Sequence, residues 1–590
     1  MTHKLARTWF SFKKVLILAG AVGLLLILLV LAFLFINPSY APSADTLSFV
    51  KDAVAKQQKI EEDLRAYYQE GKYTFSDPLV IQDPYQTAPL TALIIFDTPQ
   101  NSQISIHVPG ETPQSAVDYP FAGYQRHHEI PVYGLCADTL NHVTISMKTQ
   151  NGESAQTEVN LQTEPLPVYI QNFQVDKVNP DKYSPGFNFT FLGSKPVFDI
   201  DGNVRWYSTK ESFEVFTKLK NGRFLFTYRI EDQEPSFIME QDLLGKIYAI
   251  YYIADGIHHD IYELPTGNLL ITSSEMNSAT TEDNIIEVDR GTGHIVRSFD
   301  LKNYLDANRL HEMDLDVNDW LHLNSIVYDP TDHSIIISSK AQSAVVKMTY
   351  PGMKIVWILG PHDNWNAKFQ PYLLTPVGEN FEWSWSQHHA TLFGPDVPGD
   401  DAVDILLFDN GLYRSFEKAT AYSPPESYSR IVHYRINEAS MTVEQVWEYG
   451  EENGAATFSG TRGSAYLLPN GDVLGTWGAI SKDALGNPLA NIGTNGSTDE
   501  TQIMEVDPSN NEVVFECTGF GLVTYRTLRA GLYDGYSEKN AYLVTPLDNT
   551  TGNDLVDRSV MALRDLKRQV ISPFHSWLKK IGHQILVPIR

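Results

Sequence analysis

The sequence predicts an all-β protein: a six-bladed β-propeller preceded by a small β-sandwich domain, with an N-terminal transmembrane helix. Three observations lead there. Between residues 169 and 550 a two-strand unit recurs about six times, at roughly 45 to 85 residues per unit, a period typical of propeller blades. Short alternating strands separated by turn residues fill 85–168. An uncharged apolar run lies ahead of both.

That run comes first. "MTHKLARTWFSFKK" carries Lys4, Arg7, Lys13 and Lys14, and "VLILAGAVGLLLILLVLAFLFI" follows without a charge. Roughly 20 apolar residues span a bilayer as a helix and exceed a usual signal-peptide core. Basic residues stay on the cytoplasmic side, so the chain after about Pro38 is expected outside the cell membrane. Residues 1–38 therefore read as a single-pass anchor with an extracytoplasmic body, and "PSYAPSA" leaves cleavage open. Residues 39–84 read as a helical stalk, because Leu47, Val50, Val54, Ile60, Leu64 and Tyr67 recur at helical spacing. From 85 to 168 the pattern turns to "LTALIIFDTP", "SQISIHVPG", "HEIPVYGL", "NHVTISMKT" and "AQTEVNLQT", the alternation of a small β-sandwich.

The repeat occupies 169–550. Its second halves are "DGNVRWYS", "LGKIYAIYYI", "TGHIVRSFDL", "PGMKIVWILG", "MTVEQVWEYG" and "NNEVVFECTG". First halves include "GRFLFTYR", "GNLLITSS", "HSIIISSK", "DILLFDNG" and "GDVLGTWG". Blades stacked around an axis would gather their inner strands at one channel. Residues 551–590 form a basic tail with no acid after Asp565 and apolar residues at helical spacing around Pro573. It reads equally as an interfacial membrane helix or as a helix packed on the propeller flank.

Composition narrows the partners. A formal charge of -27 over 590 residues excludes nucleic acid, whose phosphates need a basic surface. An anionic substrate would have to be drawn in by a local positive field. Two distant cysteines, Cys136 and Cys517, provide no thiolate metal spacing and no disulfide framework, and two unpaired buried thiols are expected. The oligomeric state is not fixed, and a homodimer is compatible with the sequence.

Histidine points to the site. "HHDIYELPTGN", "HLNSIVYDPTD" and "QHHATLFGP" place His259, Asn324 and His388 in one register slot, each at the start of a strand, with His322 two residues before Asn324. Inner-strand starts face one mouth of the axis and can converge, although a histidine at a strand entry also serves simply to satisfy loop carbonyls. Three imidazoles would suit zinc with an open position, with Asp260 behind them. The same groups without metal would suit a neutral imidazole nucleophile, with Asn324 and Lys340 donating to an anion under attack. Trp320, Trp383 and Trp385 lie nearby in sequence, as pocket walls or as core. His389 reads as packing, and His258 as the lesser of its vicinal pair. Arg414 and Arg526 are candidate anion binders, with surface or interblade salt bridges the favoured reading of both.

With these motifs on view, the chain resembles the bacterial arylsulfate sulfotransferases, which use aryl sulfates rather than phosphoadenosine phosphosulfate as donor. "PVYGLCADTLNHVTI", "HHDIYELPTGN", "DWLHLNSIVYD", "SQHHATLF" and "LLFDNG" carry the resemblance, which runs to about Tyr533. It implies ping-pong transfer from a phenolic sulfate donor to a phenol acceptor, with His388 as nucleophile and a sulfohistidine intermediate. It further implies that His259, His322 and Asn324 surround the sulfate, and that no cofactor and no metal are needed. The family has Arg where this chain has Lys340, which keeps the charge but loses the bidentate fork. The family's short disulfide has no counterpart here. A non-catalytic propeller scaffold and a metal-dependent sulfate or phosphate ester hydrolase are the alternatives.

Overall fold

The computed structural model describes residues 44–191, 195–229, 236–275, 278–313, 316–394, 402–536, 542 and 549–550. The expected anchor at 1–38 and the basic tail at 551–590 lie outside the described residues. Among those that are described, no helix is long and apolar enough to cross a membrane. The described chain is mostly β-strand.

The expected stalk is a helix, Ala44–Glu70, closed by Gly71, with an i,i+4 pair between Lys59 and Asp63 on its exposed side. It does not stand free along residues 52–70. The Gln57 amide clamps the backbone of Ile247, donating to its carbonyl and accepting from its N–H, both at 2.8 Å. One turn on, Glu61 pairs with Lys246 at 3.2 Å, both side chains nearly solvent-free. The strand Ile247–Tyr252 would otherwise leave those groups without a helix partner, and satisfying them fixes the helix to the strand.

Residues 79–162 form a six-stranded antiparallel sheet built on one long strand, Ala92–Val108. Its first half pairs with Leu79–Gln82 and Gln125–Val132. Beyond a register break between Asp97 and Ser102 it pairs with Leu140–Thr149 and Val117–Pro120. A single strand that changes partners at a bulge turns a corner, so the strands expected of a sandwich form one continuous sheet.

Six four- or five-stranded sheets follow, antiparallel except where Thr375–Val377 adds to the fifth in parallel with Thr442–Tyr449. The second to sixth open with first strands Phe213–Lys218, Ile261–Glu263, Leu323–Asp329, His388–Leu392 and Ser464–Leu467. The first sheet takes its corresponding strand, Thr527–Ala530, from the far end of the chain, paired to Phe187–Thr190. The sixth takes its outer strand, Gln174–Val178, from the near end. All six repeat halves quoted as second halves are the later strands of these sheets. Most strands are buried on both faces because each sheet packs on the next. Phe189 stacks on Phe216 and Phe224 between sheets one and two. Apolar clusters join two to three, three to four, four to five and five to six. A further cluster joins the sixth to the first through Phe198, Leu474 and Phe515. Cys517 is buried in that last cluster, whereas Cys136 is only half-buried; both are free thiols.

Candidate active site

Four sheets send a ring side chain to one place, each from the start of its first strand. His259 precedes Ile261–Glu263, His322 precedes Leu323–Asp329, His388 opens His388–Leu392, and Tyr525 precedes Thr527–Ala530. Ring centroids run 4.8 Å from His259 to His322, 6.3 Å from His322 to His388, 6.0 Å from His388 to Tyr525 and 5.5 Å back to His259. His259 and His322 hold positive φ, 56° and 46°, a region that costs a non-glycine residue about 1–3 kcal/mol and is tolerated where surrounding structure enforces it.

His388 is 2% exposed. Its Nδ1 lies 2.7 Å from Asn410 Oδ1. The Asn410 amide nitrogen donates to the carbonyls of Ser459 and Arg462, and that fixes which way the amide faces. Its oxygen must therefore accept, His388 must carry the proton on Nδ1, and Nε2 keeps its lone pair. Burial, and after it the charge of His322, drives the His388 imidazole well below its usual range, against the Asn410 bond. Lys340, in the turn after Ser334–Ser339, also contributes to that depression through its charge.

His259 and His322 share one carboxylate. Glu282 Oε2 lies 2.9 Å from His259 Nε2 and 3.0 Å from His322 Nδ1. Asp319 Oδ2 approaches the same His322 nitrogen at 2.5 Å. Burial pushes the Glu282 carboxyl up, but the charges of His259 and His322 outweigh it and hold the acid well below its usual range. His258, edge-on to His259 at 5.1 Å, is lowered by burial.

Beside His259 in sequence, Asp260 enters a largely buried ion pair with Arg526. Arg526 Nη1 donates to Asp260 Oδ1 at 2.9 Å and Nη2 to the Asn324 carbonyl at 2.7 Å. Asp260 also accepts from the Ile326 N–H at 2.9 Å. The Asn324 amide donates to the Gln387 carbonyl at 2.8 Å, tying the His322 strand to the His388 strand. Asp260 thus supports Arg526 rather than an imidazole.

Other sequence candidates lie elsewhere. Arg414 is bound to Glu382 at 2.9 Å and Asp409 at 3.3 Å and stacks on Tyr428, a network with Arg430 rather than with the imidazoles. His389 packs on Tyr466 with Nδ1 3.1 Å from the Ala465 carbonyl. Trp320 is fully buried, its indole N–H donated to Asp283. Trp385 packs with Phe416 and His311, and Trp383 with Phe381.

Two groups sharing Glu282, one with His258 and His259 and one with Asp319 and His322, have ligand-type atoms within 4.8 Å of each other. Their closest contact, 2.5 Å between Asp319 and His322, is shorter than the separation of two ligands on one ion, which at metal bonds near 2.1 Å is about 3 Å or more. Such a distance is that of a hydrogen bond, so the Asp319–His322 group fits an ion pair better than coordination.

Sequence reasoning did not find Glu282, Asp319, Asn410 or Tyr525. Asp319 stands three residues before His322 and Asn410 sits inside "LLFDNG", so each left a faint local trace. Glu282 lies on the loop ahead of Asn284–Val288, with no pattern to mark it.

A family model described as "Arylsulfotransferase (ASST)" matches residues 147–525, and one described as "Arylsulfotransferase Ig-like domain" matches 79–164. The arylsulfate sulfotransferase AssT of Escherichia coli O6:H1 is 26% identical over 556 residues, covering 74% of this chain and 89% of that protein. Its namesake from Lelliottia amnigena is 26% identical over 528 residues, covering 69% and 86%. Among solved structures, dihydro-heme d1 dehydrogenase NirN superposes with a TM-score of 0.28 at 10% identity over 74% of this chain and 77% of that one, too low to bear on the reading.

Proposed function

Because the chain belongs to the arylsulfotransferase family and is a sulfotransferase enzyme acting on phenolic compounds, we propose that it works by ping-pong transfer through a sulfohistidine at His388. The observation that carries this is the Asn410 bond, which leaves Nε2 of a buried, neutral imidazole as the basic atom facing two carboxylate-paired imidazoles.

In the first step Nε2 attacks sulfur in line with the ester oxygen. The N–S bond forms, the S–O bond to the aryl group breaks, and the electron pair leaves with the phenolate, which takes a proton from water. Asn410 keeps the Nδ1 proton in place throughout. Sulfuryl transfer resembles phosphoryl transfer in its loose transition state with charge on equatorial oxygens, so the protein's task is positioning and charge stabilisation. His259, His322, Lys340 and the second N–H of Asn324 are the donors available, with Tyr525 as an aromatic wall. In the second step the acceptor phenol attacks the same sulfur, loses its proton, and returns His388 to its resting form. Arg526 and Asp260 hold the Asn324 strand in place. Binding of the substrate itself is left to the imidazole side of the site, and Arg414 takes no part.

The six sheets are read as propeller blades around this site. Support comes from the strand exchange between chain ends and from the apolar packing of the sixth sheet on the first. The body is proposed to face the outside of the cell membrane, on the strength of the apolar run after Lys14.

Enzyme exposed to an aryl sulfate without acceptor should gain the mass of one SO3 group, and His388→Ala should gain none and release no phenol. Turnover by that variant would overturn the mechanism.

A further inference from the structure

The donor of this reaction is an anion, yet the nearest acids to the site are two carboxylates, on a chain of formal charge -27. Something must make this pocket positive. Three arrangements would do so: a bound cation, Lys340 alone, or protonated imidazoles. The distances decide among them. Glu282 stands at hydrogen-bond distance from both imidazoles, and Asp319 stands closer still to the second. One nitrogen, His322 Nδ1, faces two carboxylates at once, which is stable only when it carries a proton to give them. The ring of Tyr525 lies near-parallel to His259, 20° between planes, a favourable face for a cation.

We propose that Glu282 and Asp319 are positioning residues that hold His259 and His322 as a pair of imidazolium ions, forming the cationic wall against which the sulfate group sits. This rests on the sulfotransferase reading of the same site. Glu282 bridges the two rings and sets their spacing, while Asp319 engages Nδ1 of His322, so that its Nε2–H points away from the carboxylates. The wall also adds to burial in keeping His388 neutral, because a third proton would face two existing charges. Other ionisable groups around the pair are His258, His388, Tyr525 and Lys340. The Arg526–Asp260 pair is self-neutralised. Neither carboxylate touches the reacting atoms; both act through the imidazoles.

The test uses the full protein with 4-nitrophenyl sulfate as donor and a simple phenol as acceptor. Glu282→Gln keeps shape and an acceptor oxygen but removes the charge. It should lower donor kcat/KM by roughly 10–100-fold, chiefly through KM, and move the alkaline limb of donor kcat/KM to lower pH. Glu282→Asp should recover part of the loss, and Asp319→Asn should show a smaller shift in the same direction. An unchanged pH profile in Glu282→Gln overturns the inference. So does one equivalent of divalent metal in the purified enzyme that is lost in that variant. A readout independent of turnover is the imidazole nitrogen NMR of the resting wild type, assigned with His259→Gln and His322→Gln. Two imidazolium patterns at neutral pH support the proposal, and neutral patterns overturn it whatever the activity. Failure of the sulfotransferase reading would look different, as a wild type that releases no nitrophenol.

Discussion

Asn410 offers the sharpest probe of the proposed nucleophile. Its amide donates to two backbone carbonyls and accepts from His388 Nδ1 at 2.7 Å, so Asn410→Leu removes the shorter of the two contacts that hold the tautomer and leaves only the Ser386 carbonyl at 3.2 Å. The lost hydrogen bond is worth about 0.5–1.5 kcal/mol net, and the bare carbonyls of Ser459 and Arg462 add about 1–3 kcal/mol of destabilisation. For the reaction, about 1–3 kcal/mol of lost orientation corresponds to roughly 5- to 150-fold in kcat/KM. The comparable loss when a wrong tautomer is locked in, about 10^4, sets the ceiling. Asn410→Asp tests the sign separately. Its carboxylate would strengthen the bond to Nδ1 while facing the two carbonyls without a donor, so sulfation should slow less than in Asn410→Leu while stability falls more. The assay is single-turnover release of nitrophenol, with the SO3 adduct followed by intact mass and folding checked by urea unfolding. Wild-type sulfation rates in a folded Asn410→Leu would refute the claim that this amide prepares the nucleophile.

Three further outcomes follow from the same geometry. Stability should fall as pH drops below about 6.5, because His388, His389 and His128 are depressed by burial first, His128 to about 4. The unfolded chain then binds more protons than the folded one, so stability rises with pH across that window; a thermal midpoint that is flat from pH 7 to 4.5 would contradict it. Lys340→Ala should raise donor KM roughly tenfold or more through the lost charge-assisted contact and, because its charge helps to depress His388, move the acid limb of sulfation upward; steady-state kinetics against pH measure both. Arg526→Met should cost about 3–5 kcal/mol in urea unfolding by leaving Asp260 buried without its partner, and adding Asp260→Leu should restore part of it; an unchanged midpoint in the single variant would show that the pair carries no weight.

Much of this architecture was legible because repetition is a strong signal. Each quoted second half, from "DGNVRWYS" to "NNEVVFECTG", falls on a later strand of a separate sheet, since turn residues and apolar runs recur wherever sheets must stack. His259, His322 and His388 were legible for the same reason: they share the start of a first strand. What escaped was whatever depended on contacts distant in sequence. Glu282 reaches His259 from 23 positions away and His322 from 40, on a loop that no periodicity marks. For Arg414 the sequence favours a salt bridge over an anion contact but does not name its partners, Glu382 and Asp409. The helical spacing of the stalk is visible in its sequence, but nothing there announces that Gln57 will match the backbone of Ile247.

The placement of the site follows from how such an array can be held still. A loose sulfuryl transition state needs several donors around one sulfur, and each must resist the pull of the others toward water. Here one ring comes from each of four sheets, and the sheets are locked to their neighbours by apolar clusters. Displacing His322 alone would break its bonds to Asp319 and Glu282, and displacing its strand would break the Asn324–Gln387 and Arg526–Asn324 links. The left-handed φ values at His259 and His322 are affordable only because that surrounding packing leaves the backbone no lower path. Rigidity also answers the charge problem. Fields from surface acids are screened over about 8–10 Å in salt, whereas the proposed imidazolium pair would act at contact distance, where screening is weaker. On the proposal made above, a strongly acidic protein holds an anion by setting a few positive groups in place with the acids behind them.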